Sequence, residues 1–114
     1  MSRHNDLLYL DDMADHARHA LRIAQNLGTY ESFEADDFLQ PGLIRELEVV
    51  GEASTKVSEQ FRGAHQDWPW QQLRAMRNRL IHGYANVDLR VVWNTVHEDL
   101  PSLLEKLDLV LGKQ

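Results

Sequence analysis

Apolar residues in this chain recur at steps of three and four and alternate nowhere. That regularity excludes half-buried strands, whose period is two, and leaves helices packed side by side. From about Arg3 to Leu27, the positions Leu7, Leu10, Ala14, Ala17, Leu21, Ala24 and Leu27 form one stripe, and Gly28 offers a helix stop. Pro41 opens a second helix, to about Phe61, in which Leu43, Leu47, Val50, Ser54, Val57 and Phe61 make a seam suited to near-parallel packing. Arg45, Glu48, Glu52, Lys56 and Glu59 fall on its opposite, polar face, and Gly51, Ala53 and Ser54 are small enough to admit a neighbouring backbone. A third helix starts near Trp70, with Pro69 suited to a first helical position, and carries Leu73, Met76, Leu80 and Ile81 as its stripe. The last holds Leu89, Val92, Trp93, Val96, Leu100, Leu103, Leu107 and Val110. Pro101 lacks an N–H and crowds the carbonyl of His97, which predicts a kink or break there.

The connections are short. Thr29 to Gln40 is polar and acidic, anchored by Phe33, Phe38 and Leu39, with room for one short helical turn. Arg62 to Trp68 reads as a loop, after which Trp68 and Trp70 pin the third helix to the bundle. The expectation is an all-α chain: an up-and-down bundle of four long helices with a short fifth, residues 1–114 forming one domain. There is no cysteine, so disulfide and thiolate chemistry are excluded. No apolar run is long enough to span a bilayer and no signal-peptide pattern opens the chain, so the default location is the cytoplasm.

Charge narrows the choice of partner. The net charge of −6 argues against general affinity for nucleic acid, which rests on neutralising phosphates. The distribution says something different. Between Asp67 and Asp88 the only charged residues are Arg74, Arg77 and Arg79, so this stretch carries +3 and the remainder −9. Those arginines are the candidate phosphate contacts, against the plainer reading of a solvated helix face. On the first helix Asp12, Asp15, His16 and His19 share one polar side at metal-ligand spacing. Helices also place such residues three or four apart for solubility and weak pairing, and that structural reading is preferred here.

The chemistry concentrates in Arg77–Asn78–Arg79–Leu80–Ile81–His82–Gly83–Tyr84, read as two helical turns stopped by Gly83. Arg77 projects between Leu73 and Ile81, inside the apolar stripe, while Arg74, Asn78 and His82 line up on a separate face at spacing four. An arginine in such a stripe pairs with a carboxylate, snorkels to the stripe's edge, or opens into a cleft or subunit interface to await an anion. His82 in a last helical turn has a plain reading as a partner of the helix dipole. Asn78 either orients the His82 imidazole or is a surface amide. Tyr84 either packs back on the last turn or presents an accessible hydroxyl.

Arg77-x4-His82-x-Tyr84 resembles the R-x4-H-x-Y motif of HepT-like proteins in the HEPN superfamily. Val50–Gly51–Glu52–Ala53, Trp68–Pro69–Trp70 and Asp99–Leu100–Pro101 lie where that family has similar segments, so the likeness runs in order from about Asp6 to Leu107. The resemblance implies a HEPN-like helical homodimer that sets two motifs across a shared cleft. It implies a metal-independent endoribonuclease needing no cofactor, the toxin of a type VII-like toxin–antitoxin pair. Its partner is then a minimal nucleotidyltransferase that adds AMP to the motif tyrosine, here Tyr84. The catalytic residues so implied are Arg77 and His82, with Asn78 supporting and Arg74 and Arg79 on RNA.

The residue types suit that reaction. Histidine moves protons near neutrality, and arginine offers a permanently charged fork to phosphate oxygens. Five residues apart, Arg77 and His82 diverge by about 140° on an ideal helix, so one motif focuses poorly on one phosphate and two motifs across a two-fold axis do better. The alternatives are a non-catalytic helical dimer that binds and regulates a nucleotidyltransferase, with Arg77 as a structural ion pair, and an unrelated four-helix dimer.

Overall fold

A computed structural model describes residues 3–82 and 87–113, and the side chains of all of these except residues 3, 4 and 82. Among the described residues there are seven helices and no strand: α1 (Arg3–Leu27), α2 (Tyr30–Ala35), α3 (Leu39–Lys56), α4 (Glu59–Ala64), α5 (Trp70–His82), α6 (Leu89–Glu98) and α7 (Leu100–Leu111). The all-α expectation holds. The additional helices come from breaks that polar side chains and prolines impose on the expected long ones.

The second expected helix divides at Val57, whose backbone is extended (φ −68°, ψ 140°). Ser58 causes the division. Its side chain accepts from the N–H of Phe61 and caps α4, so Phe61 belongs to a new helix. Asp6, buried at the start of α1, fixes Ser58 by accepting from its N–H at 2.8 Å and its hydroxyl at 2.7 Å. Part of the expected 62–68 loop is therefore helical. The last expected helix breaks at Asp99, with Pro101 in the first turn of α7, where a missing N–H costs nothing. The short helix in the 29–40 connection is α2, capped by Thr29 and anchored by buried Phe33, which stacks on Trp93. Gly28 takes the left-handed conformation (φ +80°) that ends α1.

The core is the shared interior of α1, α3, α5, α6 and α7. α3 is its middle layer, packed along α1 on one side and against α5 on the other, while α7 closes the far side of α1. Leu10, Met13, Ala14, Ala17, Ala20 and Ala24 face inward from α1; Leu43, Leu47 and Val50 from α3; Leu73, Met76 and Leu80 from α5. Leu7, Ile81 and Val110, expected in apolar stripes, are exposed. Trp68 and Trp70 stack on each other at 5.4 Å, with Phe61 edge-on to both. The Trp70 indole N–H donates to the His65 carbonyl, so the start of α5 is pinned as expected. Pro69 stands just before the helix, where its carbonyl accepts from Leu73 N–H.

Candidate active site

Arg77 is placed by a glycine. At Gly51 of α3, a Cβ would lie 2.6 Å from the Cβ of Arg77 and 3.2 Å from the Leu73 carbonyl oxygen. Real Cβ atoms do not approach so closely, so α5 crosses α3 at this distance only because residue 51 has no side chain. The small residues noted in the sequence thus mark a true close approach, and the residue set against Gly51 is Arg77.

The side chain of Arg77 is 31% exposed, neither sealed in the core nor free in solvent. Its Nε donates to Glu52 Oε2 at 2.8 Å, and its Nη1 donates to Asn78 Oδ1 at 3.1 Å. The stripe position is therefore resolved by pairing at the rim. Two of the five guanidinium N–H donors are engaged, and the plane of the fork is set by a carboxylate on one side and an amide on the other. Asn78, considered as a support for His82, contacts Arg77.

Glu52, expected on the polar face of α3 with Arg45, Glu48 and Lys56, lies there, and its partner on α5 is what the sequence left unread. Glu52 is 43% exposed and reaches across to α5. Its other oxygen lies 3.9 Å from Lys56 Nζ, and Lys56 in turn sits 5.9 Å from the centre of the Tyr9 ring. The available signal was adjacency: the residue beside the glycine that admits a partner helix is well placed to meet that helix.

Beside this pair opens a cleft of about 330 Å³ between α1 and α3, lined by Tyr9, Asp12, Arg45, Glu48, Glu52 and Lys56, with Ile81 of α5 at its edge. Three carboxylates face two cations there, so the cleft of one chain is not basic. Arg45 approaches Glu48 at 3.4 Å. Ile81 is 49% exposed, an apolar side chain at the mouth of a polar cleft.

Arg79 does not join Arg77. It lies about 160° away around the helix and lines a hollow of about 490 Å³ with Met76, Asp88 and Val91. Arg74 is exposed, one turn before Asn78. The +3 stretch is therefore spread around α5. The backbone of His82 ends that helix; its side chain, and Gly83 and Tyr84 with the roles expected of them, lie outside the described residues.

A family model described as "Ribonuclease HepT-like" matches residues 13–110. The chain belongs to this HepT-like family. A protein of Thermococcus cleftensis named "Probable ribonuclease HepT" is 39% identical over 88% of this chain and 90% of its own length. A provisionally named RNase of Caldanaerobacter subterraneus subsp. tengcongensis is 34% identical over 75% of this chain and 77% of its own. Another, of Methanocaldococcus jannaschii, is 29% identical over 96% of this chain and the whole of its own. No solved structure matches significantly. This HepT-like chain carries the motif arginine and histidine five residues apart on the second half of α5.

Proposed function

We propose that this HepT-like chain is a metal-independent endoribonuclease that works as a homodimer in the cytoplasm. The observation that carries the reading is the fixed orientation of Arg77 by Asn78 and by Glu52, a residue that itself lines an open cleft. In the proposed reaction, one histidine takes the proton of an RNA 2′-OH as its oxygen attacks phosphorus. The bond from phosphorus to the 5′-oxygen breaks, and that oxygen receives a proton. The products are a cyclic phosphate and a 5′-hydroxyl. His82 is the proton carrier and Arg77 holds the charge that builds on the phosphoryl oxygens. Two features favour a second copy: the cleft of one chain is not basic, and exposed Ile81 edges it. Arg74 and Arg79 are assigned to flanking phosphates, one on each side of the helix.

Regulation is proposed by the same logic. A cognate nucleotidyltransferase antitoxin transfers AMP from ATP to the hydroxyl of Tyr84, breaking the α–β phosphoanhydride bond and releasing pyrophosphate and the phenolic proton; two residues beyond His82, the added charge and bulk repel RNA. The direct test incubates the purified protein with single-stranded RNA in EDTA. Wild type should cleave, and His82→Ala should fall by about two orders of magnitude or more, the scale of a lost acid–base group. Cleavage that the variant retains in full overturns the assignment. The Arg77–Glu52 ion pair is the observation that favours the second reading, a folded but non-catalytic regulator of the nucleotidyltransferase, and absence of cleavage by folded wild type on several RNAs selects it. Mass spectrometry after co-expression tests the modification: AMP should map to Tyr84, and Tyr84→Phe should cleave RNA yet escape silencing.

A further inference from the structure

A second constellation lies on the other side of α3, where Glu46 meets two histidines of α1. His16 Nδ1 is 2.5 Å from Glu46 Oε2, and His19 Nδ1 is 3.7 Å from Glu46 Oε1. One donor atom from each of the three residues falls within 4.8 Å of the other two. The imidazole rings stand edge to face, 5.5 Å apart at 79°. Glu46 is the most enclosed, at 19% exposure, while His19 at 49% leaves the group open to solvent. The spacing His16-x2-His19 puts both rings on one face of α1, and the third donor comes from the helix packed against it. Glu46 lies six residues before Glu52 on α3, about 9 Å along the axis and about 120° around it, so this group is separate from the Arg77 pair.

We propose that His16, His19 and Glu46 form a zinc-class divalent-cation site that clamps α1 to α3. Two neutral imidazoles and one carboxylate are a common zinc donor set, with a fourth position open to water. Donor atoms around a tetrahedral zinc stand about 3.3 Å apart, given bonds of about 2.0–2.1 Å. The His16–Glu46 contact must therefore widen by about 0.8 Å, and the other donor separations, all within 4.8 Å, must close by at most about 1.5 Å, movements of the order of a side-chain rotation. The ion converts a local charge of −1 into +1 and replaces one hydrogen bond by three coordinate bonds spanning two helices. Its role is structural, independent of the proposed metal-free cleavage of RNA.

The test titrates metal-free wild-type protein with zinc sulfate by calorimetry and repeats thermal melts with and without zinc. The expected result is one zinc per chain, with a rise in Tm of about 10 °C at a hundredfold excess over the dissociation constant. Helicity and melts in EDTA identify which variants are folded. His19→Ala, which loses the most exposed donor, and Glu46→Gln should each weaken zinc binding at least tenfold. His82→Ala, lacking the motif histidine, should bind zinc like wild type. Wild type that takes up no zinc or gains no Tm overturns the site. So does undiminished binding by folded His19→Ala or Glu46→Gln, or loss of binding in His82→Ala.

Discussion

α3 makes two seams, and they are built differently. On the α1 side, Ala14, Ala17, Ala20 and Ala24 are buried together with Leu10 and Met13. Towards α5 the contact at Gly51 sets a residue without a side chain against Arg77 Cβ and the Leu73 carbonyl. The first seam carries the His16–Glu46 and His19–Glu46 contacts and the second the Arg77–Glu52 ion pair. The first seam tolerates small adjustments where it is closed by rotatable side chains, those of His16, His19 and Glu46. The glycine seam does not, because the atom opposite is the Cβ of the very arginine assigned to catalysis. Stability and site geometry are thus coupled at α3–α5 and separable at α1–α3.

The largest effect should come from breaking the tighter seam. Gly51→Val drives a branched side chain into Arg77 and the Leu73 carbonyl, both too close to the backbone to swing aside. We expect a loss of about 3 kcal/mol, at the upper end for overpacking, seen as a fall in Tm of roughly 10 °C with loss of RNA cleavage. A variant as stable as wild type would show that α5 does not rest on Gly51.

Next in size, Arg77→Ala separates the ion pair from the packing. Both partners are about a third or more exposed, so removing the pair should cost about 1 kcal/mol or less of stability. Cleavage should nevertheless fall about a hundredfold, roughly 2.7 kcal/mol on the barrier. A collapsed fold or a split dimer, read by circular dichroism and light scattering, would make Arg77 a structural ion. Glu52→Gln is the milder companion. It keeps the side-chain shape and removes the charge that orients Arg77, so we expect an approximately tenfold loss of cleavage, about 1.4 kcal/mol on the barrier, at nearly constant Tm.

The smallest effect is expected outside both seams. Asp99, at the break between α6 and α7, is raised above its ordinary value of 3.8, first by desolvation and then by neighbouring Glu98. A raised acid favours the folded state when protonated. That stability is present below the unfolded value and is lost as pH rises through the folded one. Asp99→Asn should therefore raise Tm by about 1–2 °C at pH 7 and leave it unchanged near pH 3. Melts at the two pH values check the sign, and equal shifts at both would assign the gain to something other than titration.

Several features were legible in the residues alone. Periodicity gave the helical class, Pro101 the break between α6 and α7, and Gly28 the end of α1, because each acts through local backbone chemistry. The oddly placed Arg77 also announced itself, since an arginine in an apolar stripe demands an explanation. What the spacing of residues left open was the partner. Glu52 read as a solvated residue on a polar face, and Glu46 was not singled out at all, because helical periodicity describes one helix against an average interior. Whether a polar side chain meets a partner depends on where a second helix crosses, at what distance and in what register. At α3–α5 that was decided by a missing Cβ at Gly51; at α1–α3 it was decided by the packing of the two helices, which brings His16 and His19 to Glu46. The sequence by itself determined the helical class and most helix ends, through local propensity and capping, while the break at Val57 and Ser58 also draws on Asp6, 52 residues away. Only the tertiary structure decided which charges face each other, because those pairs join residues 25 and 30 positions apart that only packing brings together.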